Sequence, residues 1–325
     1  MDAGTLVSTP ARSLGAGGRL AVGFVNNMAP SAMLATERQF RVLLDNATQG
    51  YDVQLRLFAL PGAAQLAADG TASATAYEDL DALWDAKLDG LIVTGAEPRA
   101  VAMTEEPSWP VMSRLVDWAR VNTASTIWSC LAAHAAVYRL DGVDRILLPR
   151  KLSGVYVCDK ASDHVLTRDA PRQWRVPHSR FNALAEPALL AAGYTILSHS
   201  SPVGPDMFAK DAGSLFVFVQ GHLEYDADTL LREYRRDVRR YIAGVWDRYP
   251  DMPEGYFDSV ATATLLSLRE TAQGRDGHDV NAAFDAAMAS PLPHDWHAHG
   301  VRLIRRWLGL LAERKTAAAA AAIPS

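Results

Sequence analysis

The chain has 325 residues, of which 49% are hydrophobic and 21% charged, and its formal net charge is −5 with histidine neutral. This composition allows a sizeable core in one large α/β domain or two smaller ones, and it offers no basic excess for a general nucleic-acid binder. Its two cysteines, Cys130 and Cys158, cannot make a disulfide framework. No apolar run approaches the ~20 residues that span a bilayer, and nothing resembles a secretion signal. We therefore expect a cytoplasmic protein with reduced thiols and no membrane or nucleic-acid partner.

Apolar runs alternate with amphipathic segments over the first 140 residues. Residues 1–18 are rich in small residues and are predicted as a flexible tail. Strands that alternate with helices imply right-handed crossovers and a mostly parallel sheet with helices on both faces. Ligands of such sheets bind at the carboxyl ends of the strands. The predicted strands are 20–26, 52–59, 89–94 and 125–129, and the predicted helices are about 34–46, 76–86, 110–121 and 130–139.

The later part of the chain changes character. Strand-like segments at 153–158, 164–167, 195–199 and 214–219, separated by polar turns, predict a partly antiparallel continuation of the sheet. Further helices are predicted from about Ala227 to Trp246, as a pair over 258–290, and over about 296–313. No repeat or linker forces a division. We therefore expect one domain over 19–315 and a flexible, alanine-rich tail over 316–325.

Cys130 stands where the predicted strand 125–129 runs into a helix of small residues. A thiol at a helix N-terminus meets unpaired N–H groups and the positive end of the helix dipole, which favour the thiolate. The same N–H groups could hold an oxyanion. The alternative is a buried, inert cysteine, because free cysteine is among the most buried residue types. This stretch by itself favours the inert cysteine.

His222 and Glu224 follow the apolar run 215–219. Residues two apart in an extended segment point to the same side, so both side chains can reach one site. The alternative is a histidine that bridges loops and a glutamate in solvent. Both segments follow strands predicted to end at one edge of the sheet. We therefore interpret Cys130, His222 and Glu224 as the nucleophile, base and orienting carboxylate of a triad.

Two histidine groupings do not predict a metal site. Cys130 and His134 are four apart on a predicted helix, and His294, His297 and His299 cluster near the C-terminus. Neither grouping has ligand spacing with further donors, so no metal is expected.

The segment that begins at residue 221 resembles a motif of a known family. Residues 221–226 read Gly-His-Leu-Glu-Tyr-Asp, followed by Thr-Leu at 229–230 and Glu-Tyr-Arg-Arg-Asp-Val at 233–238. This order is similar to the homoserine O-acyltransferase (homoserine trans-succinylase) family, a branch of the class I glutamine amidotransferase-like, flavodoxin-like fold. Further matches lie, in order, at 36–40, 89–96, the Cys130 turn, 151–156, 177–180, 256–257, 296 and 299–300. The resemblance covers about residues 20–313 and implies an α/β domain with a helical C-terminal extension.

The resemblance implies ping-pong acyl transfer in the biosynthesis of methionine or a related sulfur amino acid. Acyl-CoA would acylate Cys130, and the hydroxyl of homoserine would then attack the thioester with His222 as base and Glu224 as its partner. The matched positions that would contact the amino acid are Lys151, Ser179 and Arg236. A guanidinium and an ammonium group suit an α-carboxylate. Without the resemblance, Lys151 and Ser179 would be a solvated strand-end lysine and a turn serine. Acyl-CoA is expected as co-substrate, with no tightly bound cofactor.

Several departures from the family pattern concern the acyl group. A Met-Pro-Lys-Lys run of the family, one lysine of which lies by the acyl site, is replaced by Asn-Met-Ala-Pro-Ser within residues 26–33. Oxyanion stabilisation must then come from backbone N–H groups or another side chain. Arg99 matches a position where glycine is typical of succinyl users and glutamate of acetyl users, and its charge could pair with the distal carboxylate of a succinyl group. Leu223 replaces a proline, and 258–290 is predicted as an insertion.

These departures leave alternatives for donor and acceptor. Succinyl-CoA is the expected donor, with O-acetyl transfer as an alternative, and serine or another hydroxy amino acid is an alternative acceptor to homoserine. A glutamine amidotransferase or thiol hydrolase on the same fold is a second kind of enzyme, but an amidotransferase needs a synthetase partner for its ammonia. A homodimer is expected from base rates alone.

Overall fold

The computed structural model describes residues 18–60, 77–271, 277–289 and 292–322. Residues 1–17 of the predicted N-terminal tail therefore lie outside the described residues. The strands are β1 Leu20–Asn26, β2 Val53–Ala59, β3 Glu78–Asp79, β4 Gly90–Val93, β5 Ser125–Ser129, β6 Ile146–Lys160, β7 Gln173–Ala183, β8 Thr195–Ser200, β9 Gly204–Asp211 and β10 Leu215–Val219. The helices are α1 Pro30–Ala47, α2 Asp81–Trp84, α3 Trp109–Asn122, α4 Leu131–Asp141, α5 Glu186–Ala191, α6 Thr229–Ile242, α7 Ser259–Thr271, α8 Gly277–Met288 and α9 Trp296–Ala321.

These strands form one sheet with a parallel half and an antiparallel half. The strand order is β3-β2-β1-β4-β5-β10-β9-β8-β6-β7. Neighbours from β3 to β10 are parallel, and neighbours from β10 to β7 are antiparallel. The central strands β4, β5 and β10 are fully buried, as expected for parallel strands covered on both faces. The predicted fold class, an α/β sheet with its antiparallel continuation, is confirmed.

Alternation along the strands divides the core into two layers. Phe24 and Val217 belong to the layer beneath α1 and α9, whereas Val25 and Phe218 belong to the layer beneath α3 and α4. Successive strand residues point to opposite faces, so each central strand contributes to both layers. Consequently helices cover both faces of the central strands, and the strand ends are where ligands of such sheets bind.

The sheet places two predicted site segments side by side. β5 and β10 are parallel neighbours in which Ser129 pairs with Val219. Cys130 and Gln220 therefore leave the sheet at the same edge, as the strand pattern predicts. Thr94, which follows β4, donates its backbone N–H to Val25 O at that edge.

Two predicted elements differ from the structure. In place of a helix over 76–86, Glu78 pairs with Phe58 at the edge of the sheet and only Asp81–Trp84 is helical. The Arg56–Glu78 ion pair, 2.5 Å from Nη2 to Oε2, adds to that pairing. Residues 164–167 form turns and no strand, because the Thr167 hydroxyl bonds Ser162 O at 3.1 Å and closes the segment locally.

The strands β7 and β9 were not predicted. β7 contains Pro177 and alternates charged with apolar residues, a pattern that an edge strand tolerates because proline need not donate to a ladder. Its only neighbour among the described strands is β6. This missed strand carries Ser179, so its position decides where part of the site lies.

The C-terminal elements match in kind and differ in length. The helical pair predicted within 258–290 is present as α7 and α8. The last helix continues to Ala321, through residues 316–321 of the segment predicted as a flexible tail. Alanine has the highest helix propensity, which explains the continuation without tertiary contacts. No helix of the described residues is long and apolar enough to cross a membrane.

Candidate active site

Cys130 lies on a strained turn between β5 and α4. Its φ of 52° and ψ of −119° make it the one non-glycine residue with positive φ in the described part of the chain. Its N–H donates to Val219 O at 2.8 Å, and its carbonyl accepts the N–H of Ala133 at 3.0 Å. The thiol is half-buried. A strained backbone of this kind persists where the fold imposes it and is concentrated at functional sites.

The N–H of Leu131 lies at the first turn of α4, where no helical acceptor exists. Gly95, after β4, approaches this turn so closely that a Cβ on it would lie 2.5 Å from Leu131 N and 2.9 Å from Ser129 O. Only glycine leaves this space open. The N–H groups beside the thiol are thus available for a negatively charged oxygen.

His222 and Glu224 form a buried pair in the same cleft. His222 Nδ1 lies 2.8 Å from Glu224 Oε1, and the side chains are 11% and 7% exposed. Burial would lower the pKa of His222, but the Glu224 carboxylate and the Cys130 thiol raise it well above its usual range. Nε2 of His222 has no hydrogen-bond partner among the described residues. Since Nδ1 is occupied by Glu224, Nε2 is the atom left to exchange a proton in the cleft.

A loop and an aromatic ring fix the position of His222. Its backbone N–H donates to Pro177 O at 2.8 Å, which ties the loop after β10 to β7. Its ring stacks on Tyr225 with centroids 4.3 Å apart. The imidazole is therefore held before any substrate arrives.

A second polar cluster lies around Glu233 of α6. Glu233 accepts hydrogen bonds from the Ser179 hydroxyl and, at 2.8 Å, from Tyr225. Lys151 Nζ lies 3.3 Å from Glu233 Oε2 and 2.7 Å from Asp237 Oδ2. Burial would raise the pKa of Glu233, but Lys151 and other neighbours hold it at about 2. This carboxylate is therefore ionised and keeps Ser179 and Lys151 in place.

Basic residues of α6 reach the opening of the cleft. Arg236 Nη2 lies 2.9 Å from Asp237 Oδ1 and remains 44% exposed. Arg240 binds Glu97 through two contacts of 2.7 and 3.0 Å, which link α6 to the loop after β4. Burial would raise the pKa of Glu97, but Arg240 and the neighbouring cations lower it. Arg236 thus has a guanidinium edge in solvent that a substrate carboxylate can meet.

The structure brings six of the seven predicted site residues to one cleft. The lining includes Cys130, His222, Glu224, Lys151, Ser179 and Arg236. Arg99 is exposed and does not line this cleft, and its backbone N–H donates to Glu106 Oε2 at 3.0 Å. Glu97 lines the cleft from the same loop.

The lining residues to which sequence reasoning gave no role include Glu97, Arg180, Tyr225 and Glu233. Three of these four stand inside the quoted motifs, at 177–180, 221–226 and 233–238. That placement was the available signal, but their roles depend on contacts between strands and helices far apart in the chain. Met28, in the loop after β1, also lines the cleft.

The histidine groupings are packing and hydrogen-bonding residues. His134 Nε2 pairs with Gln220 Oε1 at 3.0 Å, and burial lowers the pKa of His134 to about 3. His294 Nε2 lies 3.2 Å from Tyr225 O. His299 stacks on Trp174 with centroids 4.0 Å apart.

A family model described as homoserine O-succinyltransferase matches residues 9–318. The chain belongs to that family. It is 45% identical over 300 residues to a homoserine O-succinyltransferase of Rhodopseudomonas palustris, covering 90% of this chain and 88% of the relative. It is 43% identical over 302 residues to one of Methylorubrum extorquens, covering 93% and 90%. The recognised resemblance is thereby confirmed.

Solved structures of other proteins resemble this member of the homoserine O-succinyltransferase family more distantly. A glutamine amidotransferase from Thermotoga maritima is 14% identical with a TM-score of 0.46, covering 90% of this chain and 98% of that chain. One from Methylobacillus flagellatus is 12% identical with a TM-score of 0.46, covering 90% and 94%.

Proposed function

We propose that the protein transfers a succinyl group from succinyl-CoA to the hydroxyl of homoserine through a thioester on Cys130. Membership of the family supports the reaction class, and the convergence of Cys130, His222 and Glu224 in one cleft is the observation that carries the mechanism. Acyl-CoA is the co-substrate, and the steps below need no bound cofactor. The product is an activated homoserine, which belongs to the biosynthesis of methionine in the cytoplasm.

The first half-reaction forms the thioester. The Cys130 thiolate attacks the thioester carbon of succinyl-CoA, a C–S bond forms, and the carbonyl oxygen becomes an oxyanion near the N–H groups at the start of α4. Collapse of this intermediate breaks the C–S bond to coenzyme A. His222, which took the proton of the thiol, returns it to the departing thiolate. The enzyme is left as a succinyl thioester with a neutral imidazole.

The second half-reaction regenerates the Cys130 thiolate. The homoserine hydroxyl attacks the thioester carbon while His222 Nε2 accepts its proton, and Glu224 stabilises the imidazolium through Nδ1. Collapse expels Cys130 as the thiolate and releases the ester. Lys151, Ser179 and Arg236 would hold the amino acid, with the exposed guanidinium edge of Arg236 on its α-carboxylate.

Intact-mass measurement with acyl-CoA and no acceptor tests this proposal. We expect wild-type protein and Cys158→Ala to gain the mass of one succinyl group and Cys130→Ala to gain none. Cys158 is the matched control because it is the other cysteine of the chain and is buried. Absence of an adduct with both succinyl-CoA and acetyl-CoA would contradict the proposal.

Donor and acceptor are separated in the same assay. Faster adduct formation with acetyl-CoA than with succinyl-CoA would favour O-acetyl transfer. If the pre-acylated enzyme transfers its acyl group to serine and not to homoserine, serine is the acceptor. If it loses the acyl group only to water, the protein is a thiol hydrolase.

Arg99→Gly tests the proposed role of Arg99 in selecting the acyl donor. That role requires the Arg99 side chain to turn toward the cleft. Light scattering of the purified chain tests the proposed homodimer.

A further inference from the structure

One cation of the cleft, Arg180, forms no ion pair with an acidic side chain in the described part of the chain. Lys151 and Arg236 each contact Asp237 within 2.9 Å. Arg180, on β7, lines the same cleft with only 4% of its surface exposed, and it makes no ion pair with any carboxylate of the described residues. An unpaired buried cation is costly, so the fold must hold it there by other means.

Neutral groups hold the Arg180 guanidinium. Nη1 donates to Asn182 O and Nη2 to Val203 O, each at 2.6 Å, and Nε lies 3.4 Å from His178 Nδ1. These three contacts fix the plane of the guanidinium without neutralising its charge. The cation is therefore oriented before substrate binds.

His178 and Asp206 continue this arrangement behind Arg180. His178 Nε2 lies 3.3 Å from Asp206 Oδ1, and both side chains are buried. Burial lowers the pKa of His178, so its imidazole is neutral. A neutral imidazole that accepts at Nδ1 from Arg180 carries its proton on Nε2, toward the carboxylate. Burial would raise the pKa of Asp206, but the adjacent His178 imidazole and the hydrogen bond from the Ser198 hydroxyl lower it, so the acid is ionised.

The same pair supports the catalytic loop. Asp206 Oδ1 accepts the N–H of Gly221 at 3.2 Å. A Cβ on Gly221 would lie 2.8 Å from that oxygen and 3.0 Å from His178 Nε2, so the loop that carries His222 rests directly on the pair. Burial lowers the pKa of Arg180, and the Cys130 thiol is the group that opposes this most strongly.

We propose that Arg180 is a fixed cation that stabilises the negative charge of the Cys130 centre, first on the thiolate and then on the oxyanion, and that His178 and Asp206 position it. The oxyanion part rests on the proposed function, whereas the thiolate part does not. The loop after β1, residues 27–29, carries no basic residue, and Arg180 supplies a positive charge to the cleft from β7. Preorganised charge in a site shielded from water costs no reorganisation during the reaction.

The rate of Cys130 alkylation by iodoacetamide tests the proposal without acyl-CoA, in a Cys158→Ala background. We expect Arg180→Met to lower that rate at neutral pH by at least about ten-fold, and Arg180→Lys to restore most of it. Arg175→Met is the matched control, since Arg175 lies on the same strand and is partly exposed. Its alkylation rate should equal that of the background.

Thioester formation with succinyl-CoA tests the oxyanion part on the same variants. If no acyl-CoA acylates the wild type, the proposed function fails while the alkylation result still decides the thiolate part. If Arg180→Met does not fold, Asp206→Asn is the second variant. It keeps the guanidinium and removes the carboxylate that holds His178, which in turn contacts Arg180. We expect its alkylation rate to fall by less than that of Arg180→Met, and the rate of Arg175→Met to stay unchanged. An unchanged alkylation rate in folded Arg180→Met would overturn the proposal. If Arg180→Met does not fold, an unchanged rate in Asp206→Asn would overturn it.

A metal ion is the competing explanation for this cluster. Ligand atoms of Cys158, His178 and Asp206 lie within 4.8 Å of one another. Asp206 already accepts hydrogen bonds from Ser198 and Gly221, which favours the hydrogen-bonded arrangement. Elemental analysis of the purified wild-type protein should find no stoichiometric metal. One equivalent of zinc that disappears in Cys158→Ala would overturn the positioning roles of His178 and Asp206.

Discussion

Gly95→Ala adds one methyl group where β4 meets the Cys130 turn. The φ of Gly95 lies outside the left-handed region, so alanine is compatible with its backbone. The new Cβ would nevertheless lie 2.5 Å from Leu131 N, 2.9 Å from Ser129 O and 3.1 Å from Ala132 N. All three are backbone atoms, which cannot rotate aside as a flexible side chain can. The turn itself has to move.

The required movement follows from these distances. Ordinary contact of a Cβ begins at 3.4 Å, so Leu131 N must retreat by 3.4 − 2.5 = 0.9 Å. A misplacement of about 1 Å at a reacting group costs roughly 10²-fold in rate. Overpacking of this size costs about 1–3 kcal/mol of folding free energy. We therefore expect a folded but destabilised enzyme whose thioester formation is slower by about two orders of magnitude.

Quenched-flow mass spectrometry with succinyl-CoA measures that rate, and thermal denaturation measures the stability. Gly309→Ala is the matched control. Its Cβ would meet the hydroxyl of Tyr51 at 3.0 Å, the far end of a side chain, and it lies in α9, away from the cleft. Alanine there favours the helix by up to about 1 kcal/mol. Thioester formation at the wild-type rate in Gly95→Ala would refute the placement of the oxyanion at the start of α4.

Three further predictions concern the carboxylates and the hydroxyl of the cleft. Glu224→Gln removes a charge 2.8 Å from His222 Nδ1. A charge-assisted hydrogen bond is worth about 1.5–3 kcal/mol, so kcat should fall by roughly 10- to 150-fold. The pKa of His222, measured by NMR, should also fall. Ser179→Ala should raise the KM for the amino acid by about ten-fold and leave thioester formation unchanged; equal loss in both steps would contradict a substrate-binding role. Glu233, whose pKa is lowered from 4.5 to about 2, stabilises the fold above pH 4.5 and loses this contribution as the pH falls from 4.5 toward 2. Urea unfolding should show a smaller loss of stability over that range in Glu233→Gln than in wild type, and parallel losses would contradict the assignment.

Local patterns sufficed for most of the parallel half of the sheet, although they placed β3 within a helix. Alternating apolar runs and amphipathic segments identified β1, β2, β4, β5 and β10 within one or two residues. β4 and β10 are buried along their whole length, which requires a nearly continuous apolar run. The antiparallel half was predicted less completely. β7 is an edge strand with a proline and several charges, and its strand character depends on pairing with β6 rather than on its own composition.

The sequence by itself pointed to the groups that we propose to carry the chemistry. Cys130 and the His222–Glu224 segment each follow a buried strand, and strand ends of a parallel sheet meet at one edge whatever the remaining packing. The recognised motifs added Lys151, Ser179 and Arg236, whose side chains line the cleft as expected.

Only the tertiary structure decided how the charges are partnered. Lys151 meets Glu233 across 82 positions in the chain, and Arg240 meets Glu97 across 143. Arg180 has no ion pair with a carboxylate of the described residues, whereas Arg99 stays outside the cleft. Coulomb interactions and burial depend on distances of a few ångström between elements that are remote in sequence. Residue types and strand periodicity carry no information on such distances, so the proposed reactive groups were readable in advance and their electrostatic environment was not.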